Sequence, residues 1–206
     1  MAKRIFVSVD PFEARAALLD GDRLANLEME AAGADKRKGN IYRGKVKSVE
    51  PALGAAFVDY GASKDGFLPF DEVSGRSLTR FTGHGRAQGS GRAGVRIGDQ
   101  VLVQVTKEAF GKKGATLTTY VSLPGRFVVL MPLSDRTGVS KKVVGEERAR
   151  LKEIASQLVV PDGYGMIVRT SGESERIQEI QADLDQLIAT WREIEAGFIT
   201  RTSPGE

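Results

Sequence analysis

The chain has 206 residues, with 30 Lys and Arg against 27 Asp and Glu, one His and no Cys. The lack of Cys excludes disulfides, thiolate zinc sites and cysteine nucleophiles, and a single His disfavours His-based metal sites and catalytic triads. No apolar run approaches the roughly 20 residues of a membrane span, and the opening MAKRIFVSVD lacks the features of a signal peptide. We therefore expect a cytoplasmic protein with few means of catalysis.

Three short strands are predicted at the N-terminus. Residues 4–9 and 13–19 are rich in β-forming residues, and the following Asp20-Gly21 is a preferred dipeptide for a two-residue hairpin turn. Alternating apolar residues continue beyond it over residues 24–29. Because a three-stranded antiparallel sheet is marginal by itself, either a later helix or a partner absent from the chain must cover one face.

Five short alternating strands are predicted between residues 39 and 120, separated by Gly, Pro and Asp. They are NIYRGKVKSVE, GAAFVDYG, KDGFLPF, GDQVLVQVTKEA and ATLTTYVSL. Five strands at this spacing favour a small barrel, and its basic charge favours an OB-fold. Residues 83–94, GHGRAQGSGRAG, interrupt the pattern; five of the twelve are Gly, so we expect a mobile loop there, to which no role is assigned.

Two basic clusters bracket the early barrel strands. Residues 36–47 contain six Lys and Arg and no acid, and residues 74–98 contain five Arg and the only His, again without an acid. Such clusters attract polyanions through counterion release, although one cluster alone equally fits a solvated basic face. Two clusters with aromatic residues between them favour a nucleic-acid partner.

Aromatic side chains on the predicted barrel strands are candidates for base stacking. Four of them fall within fourteen residues: Phe57, Tyr60, Phe67 and Phe70. Period-two alternation places Phe57 and Asp59 on the same face of the strand, and Tyr60 on the opposite face. A stacked base contributes about 1–3 kcal/mol. Each ring, taken singly, fits the barrel core better than an exposed groove, so the pattern leaves both interpretations open for any one of them.

An α/β pattern follows from residue 125. RFVVLMP and YGMIVRTSG read as strands, and GEERARLKEIASQL reads as a helix. Residues 174–195 place seven apolar residues on one stripe with an acidic outer face, which predicts an amphipathic helix. The residues from Glu173 onward carry a net charge of −5, leaving +8 for the rest, and the final GFITRTSPGE has no predicted element.

Several long strings of the sequence resemble one known family. NIYRGKVKSVEPALGAAFVDYG and GFLPF are similar to the S1-type RNA-binding OB domain of bacterial ribonuclease E and ribonuclease G, and the resemblance continues in KGATLTTYVSLPGRFVVLMP, SKKV and GYGMIVRTSG. It covers essentially the whole chain and is weakest in the Gly/Arg-rich loop. It implies an α+β fold with three regions. Residues 1–35 would be strands of an incomplete ribonuclease-H-like subdomain, and residues 36–120 would form a five-stranded OB-fold barrel. Residues 121–206 would form an α/β sensor region for RNA five-prime monophosphates, which ends in the amphipathic helix.

The resemblance also implies site residues. The phosphate-binding Arg-Thr pair of the family matches Arg169 and Thr170, and its backbone contacts match Gly125 and Val129. An Arg fork and a Thr hydroxyl suit phosphate, and Gly allows the backbone to approach it closely. Without the resemblance, VRTSG is only a strand end. The RNA contacts of the barrel match four further side chains: Phe57, Phe67, Lys113 and, as an additional candidate, Lys107.

The basic turn GKKG has two interpretations from its residues alone. Lys112 and Lys113 would contact phosphate in one and face water in the other. The resemblance favours the phosphate contact for Lys113.

Catalysis in the family depends on residues without counterparts here. Its members hydrolyse single-stranded RNA with magnesium held by acids of a deoxyribonuclease-I-like domain, and zinc-binding Cys join their protomers; neither pattern occurs in this sequence. We expect a truncated chain or a reduced homologue that is inactive alone and holds no cofactor, magnesium belonging only to the absent domain.

The expected function is binding of RNA and of its five-prime monophosphate ends, as part of an endoribonuclease of ribosomal RNA processing and mRNA decay. Single-stranded RNA is the expected partner, together with either a second copy of the chain or the missing catalytic domain. The alternative is a stand-alone, non-enzymatic OB-fold RNA-binding factor, in which Arg169 and Thr170 would be relics or structural.

Overall fold

The computed structural model describes five stretches of the chain: residues 3–31, 37–82, 94–111, 113–200 and 203–205. These fall into two compact units, Met1–Arg37 and Lys38–Glu206. Apart from Gly94, the loop predicted over residues 83–94 lies outside the described residues.

The first unit is an antiparallel sheet in the order β1-β2-β3, formed by Lys3–Val9, Glu13–Asp20 and Arg23–Ala31. Its second hairpin differs by one residue from the expected turn. Asp20 still pairs with Arg23, so the two turn residues are Gly21 and Asp22 rather than Asp20 and Gly21. Gly21 has a φ of 63°, and a left-handed first turn residue suits the twist of a two-residue hairpin.

The sheet of the first unit leaves apolar side chains open to solvent. Every side chain of β1 is exposed, including Ile5, Phe6 and Val7. In β3, Leu24 and Leu27 are also exposed. The sequence predicts that a helix or a partner covers one face of this sheet. No described element of this unit does so.

The second unit begins with a closed barrel, which confirms the predicted five-stranded OB-fold. Its strands run in the order β4-β5-β6-β8-β7 and comprise Ile41–Glu50, Ala55–Asp59, Gly66–Pro69, Gln100–Lys107 and Thr116–Thr118. The β6–β8 pair is parallel and the other pairs are antiparallel. The alternating inward residues form a buried apolar core, which includes Val46, Val58, Leu68, Val103 and Leu117.

The barrel also contains short helical segments between its strands, which the sequence pattern did not predict. The helix α1 spans Gly75–Thr82 and buries Leu78 in the barrel core. Two 3-10 turns, Pro51–Leu53 and Phe70–Glu72, follow β4 and β6. These segments are too short for a helical period to stand out in the sequence.

A four-stranded sheet and two helices complete the second unit. The strands β9 to β12 are Leu123–Pro124, Val128–Met131, Thr137–Val139 and Gly165–Val168, in the order β11-β12-β10-β9. The helix α2 spans Gly145–Gln157, and α3 spans Ile177–Thr200. The buried stripe of α3 packs on this sheet through Ile180, Leu184, Ile188 and Trp191. No helix of the described residues has the length and apolar character required to cross a membrane.

The expectation of no element in the last ten residues is wrong. The helix α3 continues to Thr200, because Phe198 lies seven residues after Trp191 and extends the same buried stripe. Beyond the helix, Gly205 pairs with Arg43 of β4 through two backbone hydrogen bonds, with N···O distances of 2.8 and 3.0 Å. The end of the chain is thus attached to the barrel.

Arginines of the basic clusters make intramolecular contacts that the sequence did not predict. The guanidinium of Arg43 donates to the carbonyl of Phe198 and lies 4.6 Å from the centre of its ring. Arg80 pairs with Glu195 of α3. Arg76 pairs with Asp135 at 3.0 Å. Part of the positive charge is therefore paired between the barrel and the following region, although the side chains of Arg76 and Arg80 remain exposed.

Candidate functional site

Two predicted RNA-contact aromatics and one Lys lie in a single row across the barrel. Phe57 of β5 pairs with Phe67 of β6, Phe67 pairs with Thr116 of β8, and Thr116 pairs with Lys107 of β7. We call these four residues the barrel row. Paired residues on neighbouring strands lie about 5 Å apart, so the Cα atoms of the barrel row span about 15 Å.

The two rings of the barrel row contact each other and remain partly exposed. The centroids of Phe57 and Phe67 are 5.9 Å apart, at an interplanar angle of 66°. Phe57 and Asp59 are half-buried while Val58 is buried, as the predicted alternation requires. Edge-to-face packing of this kind holds aromatic rings in place and leaves the outer parts of both rings available to a ligand.

The other aromatics singled out in the sequence belong mainly to the core. Tyr60 is only 2 % exposed and packs against Tyr42, with ring centroids 5.1 Å apart. Phe70 is partly buried against the same core. These residues therefore stabilise the barrel and do not extend the exposed row.

Lys113 lies on the turn that connects β7 to β8. Its backbone exchanges two hydrogen bonds with Phe110, with N···O distances of 3.1 and 2.9 Å. Two residues later, Ala115 accepts a hydrogen bond of 2.8 Å from the backbone of Phe67. The structure thus places Lys113 beside the strand that carries Phe67, with its side chain exposed.

Phe110 is an exposed aromatic that the sequence reasoning missed. It lies in the same turn as Lys113, three residues after Lys107, and is 85 % exposed. The sequence did carry a signal for its exposure. An aromatic residue directly before the Gly-Lys-Lys-Gly turn falls outside the alternating pattern of the strands, so the pattern does not place it in the core.

Arg169, Thr170 and Gly125 come together at one end of the four-stranded sheet, just beyond the ends of β12 and β9. The guanidinium of Arg169 donates to the carbonyl of Gly125, and the backbone of Arg169 donates to Phe127 at 2.8 Å. Thr170 begins the 3-10 turn Thr170–Gly172, and its side chain is exposed. Val129 lies further along β10, half-buried, opposite Pro124 and Ile167.

An acidic residue of α3 holds the loop of residues 125–128. The carboxylate of Asp183 accepts hydrogen bonds from the backbone of Arg126, Phe127 and Val128, at 3.1, 2.8 and 3.0 Å. A β-carbon on Gly125 would lie 2.6 Å from its Oδ2 atom. Gly125 thus admits an anion close to the backbone, and in this structure that anion is the carboxylate of the protein itself.

Positive charge remains on the outer side of this loop. Arg126 is exposed, with its guanidinium 4.7 Å from the centre of the Phe127 ring, and its carbonyl accepts a hydrogen bond from the Ser171 hydroxyl. The side chains of Arg126 and Arg169 are both exposed here. An anionic ligand is the kind that this arrangement favours.

No cluster of three or more His, Asp or Glu suited to a metal ion occurs in the part of the chain that the structure describes. Magnesium in a separate catalytic domain stays an expectation.

Comparison with known proteins agrees with this division of the second unit. Residues 35–119 match the model of the S1 RNA binding domain, and residues 122–205 match that of the Ribonuclease E/G family. The chain carries an S1 domain joined to a ribonuclease E/G family domain. The predicted family relationship and the predicted RNA-binding OB-fold domain are confirmed.

The relatives of the chain are ribonucleases of greater length. It is 44 % identical over 209 residues to ribonuclease E of Haemophilus influenzae, covering 99 % of this chain and 22 % of that protein. Identity to ribonuclease E of Escherichia coli K12 is 40 % over 206 residues, covering 99 % and 19 %. Ribonuclease G of Escherichia coli K12 is 36 % identical over 202 residues, covering 94 % and 40 %. The chain spans about a fifth of the length of these two ribonuclease E relatives.

Proposed function

We propose that this chain binds single-stranded RNA on its S1 barrel and recognises a five-prime monophosphate at the Arg169 loop, as part of a ribonuclease E/G-type endoribonuclease of RNA processing and decay. The barrel row is the observation that carries the proposal. Two rings and a cation in line match what a single strand offers, namely bases for stacking and phosphates for pairing. We place this function in the cytoplasm.

The groups around Arg169 support recognition of a phosphate end. Arg169 presents a fork of N–H donors, Thr170 adds a hydroxyl donor, and both side chains are exposed beside the loop of residues 125–128. Charge-assisted hydrogen bonds from a guanidinium are the strong ones for phosphate. A five-prime hydroxyl lacks the charge that these donors pair with, so it binds more weakly at this position.

The proposed role is binding, and we assign RNA cleavage to a separate domain of the enzyme. The relatives are named ribonucleases, and magnesium in that domain supplies their hydrolytic chemistry in this proposal. Purified 206-residue protein with magnesium should cleave RNA no faster than a mock purification. The exposed apolar sheet of the first unit offers a place for that domain or for a second copy of the chain.

A binding assay with matched RNA ends tests the proposal. Fluorescence anisotropy would compare one single-stranded oligonucleotide carrying a five-prime monophosphate, triphosphate or hydroxyl. We expect the monophosphate to bind several-fold more tightly than the other two, and Arg169→Ala to remove the difference. Arg192→Ala, which removes an exposed Arg of α3, serves as the control. Equal affinity of wild-type protein for all three ends would instead favour the stand-alone RNA-binding factor.

A further inference from the structure

Phe110 exposes a large apolar ring that the barrel does not use. At 85 %, its exposed fraction is the highest among the exposed large apolar side chains of the described residues. It is part of neither buried core. A single exposed apolar side chain needs no explanation by itself. Whether this ring binds a ligand therefore depends on the residues around Phe110.

The backbone of Phe110 is held in place by hydrogen bonds on both sides of the turn. Phe110 and Lys113 exchange N–H···O bonds of 3.1 and 2.9 Å. Between them, Gly111 has a φ of 56°, a value that favours glycine, and its carbonyl accepts a hydrogen bond from the ammonium of Lys64. An aromatic on such a fixed turn loses little conformational entropy on binding.

The same turn is packed closely against the strand that carries Phe67. A β-carbon on Gly114 would lie 2.0 Å from the backbone oxygen of Asp65, so the two backbones meet where only glycine fits. The next residue, Ala115, accepts the backbone hydrogen bond of Phe67. Lys107 of the barrel row precedes Phe110 by three residues, which span about 10 Å of extended chain. The turn therefore lies next to Lys107 and Thr116, at one end of the barrel row.

Cations flank the exposed ring. Lys107 and Lys113 are exposed on either side of Phe110 in the sequence, and the ammonium of Lys64 reaches the turn. Of the acidic neighbours, Glu108 accepts a hydrogen bond from the backbone of Lys38. A lone ring among ammonium groups suits a base between two phosphates better than the continuous apolar surface of a protein partner.

We propose that Phe110 is an additional base-stacking residue of this protein, which holds a nucleotide of single-stranded RNA beyond those at Phe57 and Phe67. Lys113 contacts the phosphate next to that nucleotide. The inference rests on the proposed RNA binding by the barrel and lengthens its footprint by one base.

Truncation of the ring tests the proposal. Binding of a five-prime-hydroxyl oligouridine would be measured by anisotropy, so that the phosphate sensor makes no contribution. We expect Phe110→Ala to weaken binding about fivefold or more, and Phe110→Tyr to retain the affinity. Phe12→Ala is the matched control, because Phe12 is 81 % exposed and lies in the first unit; its affinity should stay within twofold. Unchanged affinity of Phe110→Ala would overturn the proposal.

A fluorescence measurement separates stacking from a nonspecific apolar contact. The chain has one Trp, the buried Trp191, so Phe110→Trp adds a single exposed reporter. We expect saturating oligouridine to quench its emission, while a Phe12→Trp variant is unaffected. Phe110→Leu should bind as weakly as Phe110→Ala, whereas wild-type affinity of Phe110→Leu would contradict stacking.

The failure of this inference differs from the failure of the proposed function. If Phe67→Ala weakens RNA binding and Phe110→Ala does not, the additional stacking residue is refuted and the RNA-binding barrel stands. If neither wild-type protein nor any variant binds the oligouridine, the proposed function fails and this inference fails with it.

Discussion

The carboxylate of Asp183 occupies the space that a side chain at residue 125 would need. A β-carbon on Gly125 would come within 2.6 Å of Oδ2 and 2.8 Å of Oδ1. The carboxylate has little freedom to move aside, because three backbone N–H groups of the same loop donate to it. The helix α3 thus determines the shape of the loop on which Arg169 rests.

Asp183→Asn should reduce the preference for a five-prime monophosphate. An amide has one acceptor oxygen in place of two, so at least one loop N–H loses its partner, at a cost of about 1–3 kcal/mol. We expect a lower Tm and a smaller affinity ratio between monophosphate and hydroxyl RNA, both measured on the same preparation. Asp185→Asn, two residues further along α3 and exposed, is the control. Equal ratios in the two variants would argue against a positioning role for Asp183.

Gly125→Ala should destabilise the protein only while Asp183 is present. The added methyl meets the carboxylate and no left-handed φ is involved at this position, so the cost is steric. In an Asp183→Ala background the same change should cost markedly less. A double-mutant cycle on the free energy of unfolding in urea would measure a coupling of about 1–3 kcal/mol, and additive effects would disprove the contact.

Phe67→Ala should weaken the binding of monophosphate and hydroxyl RNA alike. The ring belongs to the barrel row and not to the sensor, so its loss removes about 1–3 kcal/mol of stacking from either ligand. Phe57→Ala should show a non-additive effect with it, since the two rings are in contact. Leu53→Ala, at an exposed position of a 3-10 turn, controls for loss of apolar surface. Retained affinity in Phe67→Ala would remove the row from the RNA site.

Lys107→Ala and Lys113→Ala should each reduce the salt dependence of RNA binding. Loss of one phosphate contact lowers the slope of log K against log salt by about 0.7 for a single strand. Lys152→Ala, on the exposed face of α2, should leave the slope unchanged. Titrations from low to moderate salt would measure the three slopes. Parallel lines for Lys113→Ala and the wild type would exclude Lys113 as a phosphate contact.

The barrel was predictable because its signals are local. Alternation along each strand and Gly, Pro or Asp between strands suffice to place β4 to β8 and to set Phe57 opposite in face to Val58. The hairpin at Gly21 was misplaced by one residue, because the strand pairing, and not the dipeptide, decides which residues turn.

The features that escaped prediction depend on contacts between distant residues. Asp183 reads in the sequence as one more acid on the outer face of a helix, and only folding brings it to a loop 55 residues earlier. Arg43 and Arg80 count as free basic charge until α3 supplies their partners. Gly205 has no pattern of its own, since its pairing depends entirely on β4.

The helix α3 contacts both the loop of residues 125–128 and the barrel. Asp183 holds that loop, and Phe198, fifteen residues later, contacts Arg43 of the barrel. At 1.5 Å per residue the two attachment points are about 22 Å apart. Because α3 fastens both the loop beside Arg169 and the barrel, the two proposed RNA sites have a fixed spacing, so an RNA long enough to engage both would gain from a high effective concentration at the second, and a shorter one would not.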